Sequence, residues 1–188
     1  IENEFYGTIR PKRVIRPGER PLHALRERGV EYVEVRLMDL DPFVPVGITA
    51  ETMRLLDVFL LHCLLSGSPH DTPDEITEIK HNQHLTAARG REPGLWLLRG
   101  GRSVPLVEWA AQVLEACTPY AAALDATHGE VAYSAALASA RASLAAPETT
   151  PSARILQAMA QQPENGFVGF AAECSARARA ALLALPWS

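Results

Sequence analysis

Two stretches in which polar and apolar residues alternate constrain the fold of this chain most strongly. They are residues 1–13, IENEFYGTIRPKR, and residues 31–43, EYVEVRLMDLDPF. Because successive side chains of a strand point to opposite faces, Tyr32, Glu34 and Arg36 share one face of the second stretch. The first stretch likewise places five residues on one face: Glu2, Glu4, Tyr6, Thr8 and Arg10. The pattern predicts two strands whose polar faces form one wall of a site for metal ions and phosphate.

The composition excludes several classes of protein. A net charge of −4 argues against a general nucleic-acid binder. The three cysteines lie far apart in apolar helical patterns, which predicts buried thiols in a reducing compartment rather than a disulfide framework or a zinc site. No signal peptide is evident, and the longest apolar run, residues 55–65, is too short to span a bilayer. We therefore expect a cytoplasmic protein whose partners include neither membranes nor nucleic acid.

The chain begins at Ile1, without a methionine and directly inside a strand pattern. This predicts a piece cut from a longer polypeptide, in which the first strand pairs with strands upstream of Ile1. The remainder of that polypeptide is therefore an expected partner.

Helix signals are clear in the front half. Pro21 opens a short helix that Gly29 ends, and a strand follows over about residues 30–38. Residues 49–66 predict a helix that is apolar on nearly every side, so we expect it to be central and largely buried. A polar surface helix is predicted over residues 73–88.

The character of the chain changes after Pro105. A short strand at residues 95–98 turns at two glycines, and alanine dominates beyond it. Four helices are predicted there, over residues 106–127, 129–145, 151–162 and 166–185. We therefore expect two domains, a mixed α/β sheet region with central helices at 1–104 and a helical region at 105–188.

Glu34 and Arg36 are the residues best placed to carry chemistry. They lie two apart on one strand face, so both can reach the same ligand. A carboxylate suits Mg²⁺, which prefers oxygen ligands, and a guanidinium suits phosphoryl oxygens. The alternative is an ion pair on an exposed sheet face, which contributes only about 0.2–1 kcal/mol.

A basic run lies between Ile9 and Arg20. Its members are Arg10, Lys12, Arg13, Arg16 and Arg20, interrupted by Glu19. Such a run either favours anionic ligands or forms a solvated face.

Four motifs together resemble a known family. IENEFYGTIRPKR, GVEYVEVRLMDLDPFVPVGI, GREPGL and TPSARIL occur in this order. They are similar to the C-terminal part of bacterial, proteobacterial-type glutamate–cysteine ligases (γ-glutamylcysteine synthetases), which catalyse the first step of glutathione synthesis. The first two motifs are long and specific, and the other two support them.

The resemblance implies an α+β fold in which two or three strands belong to an antiparallel sheet like that of glutamine synthetase. It implies ATP-dependent joining of glutamate to cysteine through an acyl phosphate, with Mg²⁺, or Mn²⁺ in its place. Glu34 is similar to a metal ligand, and Arg36 resembles the catalytic residue that contacts the transferred phosphoryl group of ATP. Tyr6 resembles a contact of the acceptor amino acid's carboxylate.

Three other interpretations stay open. One is a non-catalytic nucleotide- or phosphate-binding module that uses the basic run. Another is a different glutamate-activating amide ligase, and a third is a helical interaction domain with merely structural strands. Because the family's glutamate pocket and most metal carboxylates would lie upstream of Ile1, these 188 residues alone are expected to be inactive.

Overall fold

A computed structural model describes residues 7–36, 38–162 and 166–186. It divides the chain into two units, Ile1–Leu40 and Asp41–Ser188. Strand pairing organises the first unit, and helix packing organises the second.

The first unit contains an antiparallel ribbon of two strands. Strand β1 is Ile9–Lys12 and strand β2 is Tyr32–Val35. The described part of each strand is shorter than predicted. Residues 1–6 lie outside the described part, and the second strand ends early because the loop after it contains Asp39, Asp41 and Pro42, which disfavour strand pairing.

Helix α1, Pro21–Arg28, connects the two strands as predicted. Proline is tolerated at its first position because that N–H has no helical partner. Gly29 ends the helix with φ of 72°, a left-handed value that favours glycine, and its N–H donates to the Leu25 carbonyl.

The second unit begins with two helices and a hairpin. Helix α2 is Ala50–Leu65 and helix α3 is Pro73–Arg89; Thr49 and Thr72 cap them through their side chains. Strands β3, Trp96–Arg99, and β4, Arg102–Pro105, pair antiparallel. The sequence predicted β3 and its turn, but it did not predict β4.

Five α-helices follow in the described part of the back of the second unit. They are α4 Leu106–Ala116, α5 Thr118–His128, α6 Ala132–Ala145, α7 Pro151–Ala160 and α8 Phe167–Leu183, with a 3₁₀ turn at Pro147–Thr149. The single helix predicted over 106–127 is wrong. It divides at Cys117 because Pro119 cannot donate a helical hydrogen bond and its ring crowds the preceding turn.

The core of the second unit lies where α2 meets α5 and α6. Val58, Cys117, Ala121 and Leu137 form a buried cluster there. The prediction that α2 is largely buried is wrong for its last turn, where Leu64 is 76% exposed. Helix α2 packs mainly on α5 and α6, and these two neighbours cover only part of its apolar surface.

The predicted fold class is confirmed, since antiparallel strands precede a mainly helical region. The division into domains at residue 104 stays a prediction. Among the described residues, no helix is long and apolar enough to cross a membrane.

Candidate functional site

The ribbon gathers polar side chains on one face. In the register of β1 and β2, Arg10 lies opposite Glu34 and Lys12 lies opposite Tyr32. Paired residues of antiparallel strands project to the same face, so these four side chains share it. The Arg36 N–H donates to the Thr8 carbonyl at 2.7 Å, which extends the pairing by one step. We call this set the polar ribbon face: Thr8, Arg10, Lys12, Tyr32, Glu34 and Arg36.

Glu34 lies between two cations on this face. Its Oε1 is 2.7 Å from Nη2 of Arg36, and its Oε2 is 3.3 Å from Nζ of Lys12. Oε2 is shielded from solvent, yet no described group donates a well-directed hydrogen bond to it. The contact with Lys12 is therefore an ion pair of oblique geometry.

These contacts keep Glu34 charged. The pKa of Glu34 is lowered chiefly by the hydrogen bond from Arg36 and further by Lys12, while desolvation acts in the opposite direction. A carboxylate with one incompletely satisfied oxygen suits a hard cation, which would supply the missing partner. Glu34 therefore fits the role of one metal ligand.

The predicted site residues fall into two groups. Glu34 and Arg36 come together as the alternation predicts, and they also form the ion pair that was the alternative interpretation. Tyr6 lies outside the described residues, as do the weaker candidates Glu2 and Glu4.

Much of the basic run makes internal contacts. Arg13 donates to the Gly29 carbonyl at 3.3 Å. Glu19, inside the run, accepts from the Arg16 N–H and from both terminal nitrogens of Arg28. These bonds fix the connection between β1 and α1, which favours the structural interpretation of these members of the run.

A second set of metal-ligating groups lies on α1 and just before it. Glu19, His23 and Glu27 bring ligand atoms within 4.8 Å of one another. Both oxygens of Glu19 already accept from Arg28, and one also accepts from Arg16. This set is therefore an ion-pair network rather than an open metal site.

The cysteines follow their prediction only in part. All three are free thiols, and Cys117 and Cys174 are buried, but Cys63 in the last turn of α2 is exposed. The prediction of three buried thiols is therefore wrong for Cys63, for the same reason that Leu64 is exposed.

The two supporting motifs have structural contacts. Glu92 of GREPGL forms a bidentate pair at 2.6 Å with Arg89, the residue before the motif. In TPSARIL, the Arg154 guanidinium lies 4.1 Å over the Phe43 ring and 3.6 Å from Asp41. Arg154 thereby holds the loop in the last part of the second motif, a role that sequence reasoning missed because the two segments are more than a hundred residues apart.

A cavity in the second unit does not suit charged ligands. It measures about 450 Å³ and lies between α2, β3 and α4. Its lining, which includes Phe59, Leu97 and Trp109, is apolar apart from Thr86 and Cys117. Within the second unit, this cavity offers no charged group for a carboxylate or a phosphate.

Comparisons with known proteins agree with the motifs. A family model described as glutamate-cysteine ligase matches residues 1–86. The glutamate–cysteine ligase of Azotobacter vinelandii is 47% identical over 171 residues, which cover 91% of this chain and 32% of that protein. The Bordetella parapertussis enzyme of the same name is 46% identical over 188 residues, covering 99% and 35% respectively.

A solved structure extends the likeness to three dimensions. It is the crystal structure of glutamate–cysteine ligase from Francisella tularensis in complex with AMP, with a TM-score of 0.86 at 32% identity. The match covers 98% of this chain and 36% of that one. The chain thus spans about a third of the length of the relatives it matches. The family resemblance is confirmed: over nearly its whole length the chain is similar to part of the glutamate–cysteine ligases of proteobacteria.

Proposed function

We propose that this chain supplies one wall of the active site of a glutamate–cysteine ligase. The reaction joins the γ-carboxyl of glutamate to the amine of cysteine with hydrolysis of ATP to ADP and phosphate, in the cytoplasm. The observation that carries the proposal is the contact of Glu34 and Arg36 at 2.7 Å on the polar ribbon face. The similarity to glutamate–cysteine ligases and the AMP in the Francisella tularensis relative support it.

Each of three residues has a distinct task in this proposal. Glu34 holds Mg²⁺, or Mn²⁺ in its place, which neutralises charge on the phosphates of ATP when it is bound. Arg36 binds the transferred phosphoryl group, and Tyr6 binds the carboxylate of cysteine.

Arg36 has donors to spare for this task. Its contact with Glu34 uses Nη2, while a guanidinium carries five N–H donors. The side chain is 47% exposed. Arg36 can therefore keep its contact with Glu34 and still donate hydrogen bonds to phosphoryl oxygens.

The chemistry explains why these groups are needed. A γ-carboxylate oxygen of glutamate attacks the γ-phosphorus of ATP, the bond from that phosphorus to the bridging oxygen breaks, and ADP leaves. The cysteine amine then attacks the acyl carbon, loses a proton and expels phosphate. Both steps place negative charge on the same phosphoryl group, which Arg36 stabilises in each.

The remaining two thirds of the relatives' length would complete this site with the glutamate pocket and further metal ligands. The test is therefore a chimera in which this chain replaces the matching 171 residues of the Azotobacter vinelandii enzyme. We expect the chimera to make γ-glutamylcysteine, ADP and phosphate, and the isolated chain to make negligible amounts.

Oxygen-18 in the γ-carboxyl of glutamate tests the acyl phosphate. One labelled oxygen should appear in each phosphate released by the chimera. Release of unlabelled phosphate, or a chimera with no ligase activity although it is folded, would refute the proposal.

A further inference from the structure

Lys12 is one of four charged side chains on the polar ribbon face, with Arg10, Glu34 and Arg36. Its position follows from the register, because it pairs with Tyr32 and so projects to the same face as Glu34. Its ammonium contacts Oε2 of Glu34, whereas Arg36 contacts Oε1. The carboxylate thus separates two cations that face the same space.

The contact between Lys12 and Glu34 is an ion pair without a well-directed hydrogen bond. At 3.3 Å the two groups attract by charge, but Oε2 lacks a well-directed hydrogen bond from any described group. An ammonium carries three donors, and the side chain of Lys12 is 40% exposed. Lys12 therefore retains N–H donors from which a ligand on the ribbon can accept hydrogen bonds.

The neighbouring Arg13 differs in this respect. It is one residue further along, donates to the Gly29 carbonyl at 3.3 Å, and lies 3.8 Å from Glu31. Arg13 is therefore engaged in fixing the connection to α1. Lys12, by contrast, lies with the groups to which the metal and phosphoryl tasks are assigned.

The charges on this face favour a polyphosphate. Arg10, Lys12 and Arg36 supply three positive charges against the one negative charge of Glu34. A metal ion on Glu34 would neutralise that carboxylate and leave Lys12 and Arg36 to the phosphates. Lysine binds phosphate as a point charge, and guanidinium binds it through planar pairs of hydrogen bonds.

We propose that Lys12 is a further phosphate-binding residue, which contacts the polyphosphate of ATP across the ribbon from Arg36. This inference rests on the proposed ligase function. It assigns to Lys12 a direct contact with the nucleotide rather than only the support of Glu34.

The chimera described above provides the test. Lys12→Met should raise KM for ATP about tenfold, the effect of losing one charge-assisted hydrogen bond. The kcat and the KM for glutamate should change less than about threefold. Calorimetric binding of ADP should weaken by the same factor as KM, and Lys12→Arg should recover most of the affinity because it keeps the charge.

Lys80→Met is the matched control. Lys80 is the other lysine of the chain and is exposed on α3. It should leave KM for ATP and ADP binding unchanged. If Lys12→Met does not fold, as judged by circular dichroism, Lys12→Gln replaces it with the same expectation.

The outcomes separate this inference from the proposed function. If Lys12→Met behaves like Lys80→Met while Glu34→Gln abolishes turnover, the role of Lys12 is refuted and the ligase function stands. A tenfold loss of kcat in Lys12→Met with no change in ADP affinity also refutes the role of Lys12. That pattern would mean that Lys12 only positions Glu34. An inactive unaltered chimera instead refutes the proposed function.

Discussion

Glu34 illustrates what a single residue's sequence context can and cannot predict. The alternation in EYVEVR places Glu34 and Arg36 on one face, and the structure brings them to 2.7 Å. The contact of Glu34 with Lys12 depends on the register between strands that are about twenty residues apart, and no local pattern specifies it. Sequence reasoning therefore predicted half of the charged cluster and missed the cross-strand half.

Glu19 gives a residue-scale prediction about acid stability. Hydrogen bonds from Arg28, and then from the Arg16 N–H, lower the pKa of Glu19 to about 2 from its ordinary value of 4.5. Because the folded state favours the ionised form, its stabilisation is complete above about pH 4.5 and is lost as the pH falls toward 2. Glu19→Gln should therefore lower the urea midpoint at pH 7 and have little effect near pH 2.

Glu27→Gln is the control for this experiment, since Glu27 is exposed on α1, which follows Glu19, and contacts only His23 among the described ion pairs. It should leave the pH dependence of the urea midpoint as it is in the unaltered chain. Equal urea midpoints for Glu19→Gln and the unaltered chain across pH 2–7 would contradict the assigned role of Glu19.

Strong local signals predicted the elements well. Pro21 and Gly29 delimit α1, and Thr49 and Thr72 start α2 and α3, because capping and backbone preference act within a few residues. The split between α4 and α5 was missed, although Pro119 is a visible signal. Arg141 helps to fix this break, since it donates to the Leu114 carbonyl and the Thr118 hydroxyl.

Helix α3 holds the β3–β4 hairpin through two side chains. Asn82 pairs with both the N–H and the carbonyl of Leu98, at 2.9 and 2.7 Å. Glu78 accepts from the N–H groups of Gly100 and Gly101 in the turn. The sequence showed a polar surface helix, and only the tertiary contact reveals why these two polar residues face the hairpin.

Asn82→Ala gives the element-scale prediction. It removes both hydrogen bonds to Leu98 and should cost about 1–3 kcal/mol in the free energy of unfolding. Hydrogen exchange at the Leu98 amide should accelerate in parallel. Gln83→Ala, at the exposed neighbouring position, should leave both measurements unchanged, and an equal effect of the two substitutions would contradict the docking role of Asn82.

At the scale of the whole molecule, periodicity predicted the fold class but predicted more burial of helix α2 than the structure shows. The apolar pattern of α2 predicted a largely buried helix, but only part of it is: Val58 is buried, whereas Leu64 is exposed. Periodicity reports which faces are apolar, whereas burial depends on which neighbours are present to cover them. The chain spans about a third of the length of its relatives. Its sequence pattern does not indicate which apolar surfaces the other two thirds of that length would cover.

The core should therefore respond unequally to two equivalent truncations. Leu137 is 3% exposed in the cluster with Val58, so Leu137→Ala should lower the free energy of unfolding by about 2–5 kcal/mol. Leu64→Ala, at a residue 76% exposed, should change it by less than about 0.5 kcal/mol in this chain. Denaturant unfolding measures both, and comparable losses would contradict the assignment of the core.

Glu34 on the polar ribbon face is the residue that we propose holds the metal ion used in phosphoryl transfer. The Mg²⁺ dependence of turnover tests this role in the chimera carrying Glu34→Gln, with Glu27→Gln as the control. We expect Glu34→Gln to abolish Mg²⁺-dependent turnover while the protein stays folded, and Glu27→Gln to follow the unaltered Mg²⁺ curve. An unchanged Mg²⁺ curve for Glu34→Gln would show that Glu34 does not hold the metal ion.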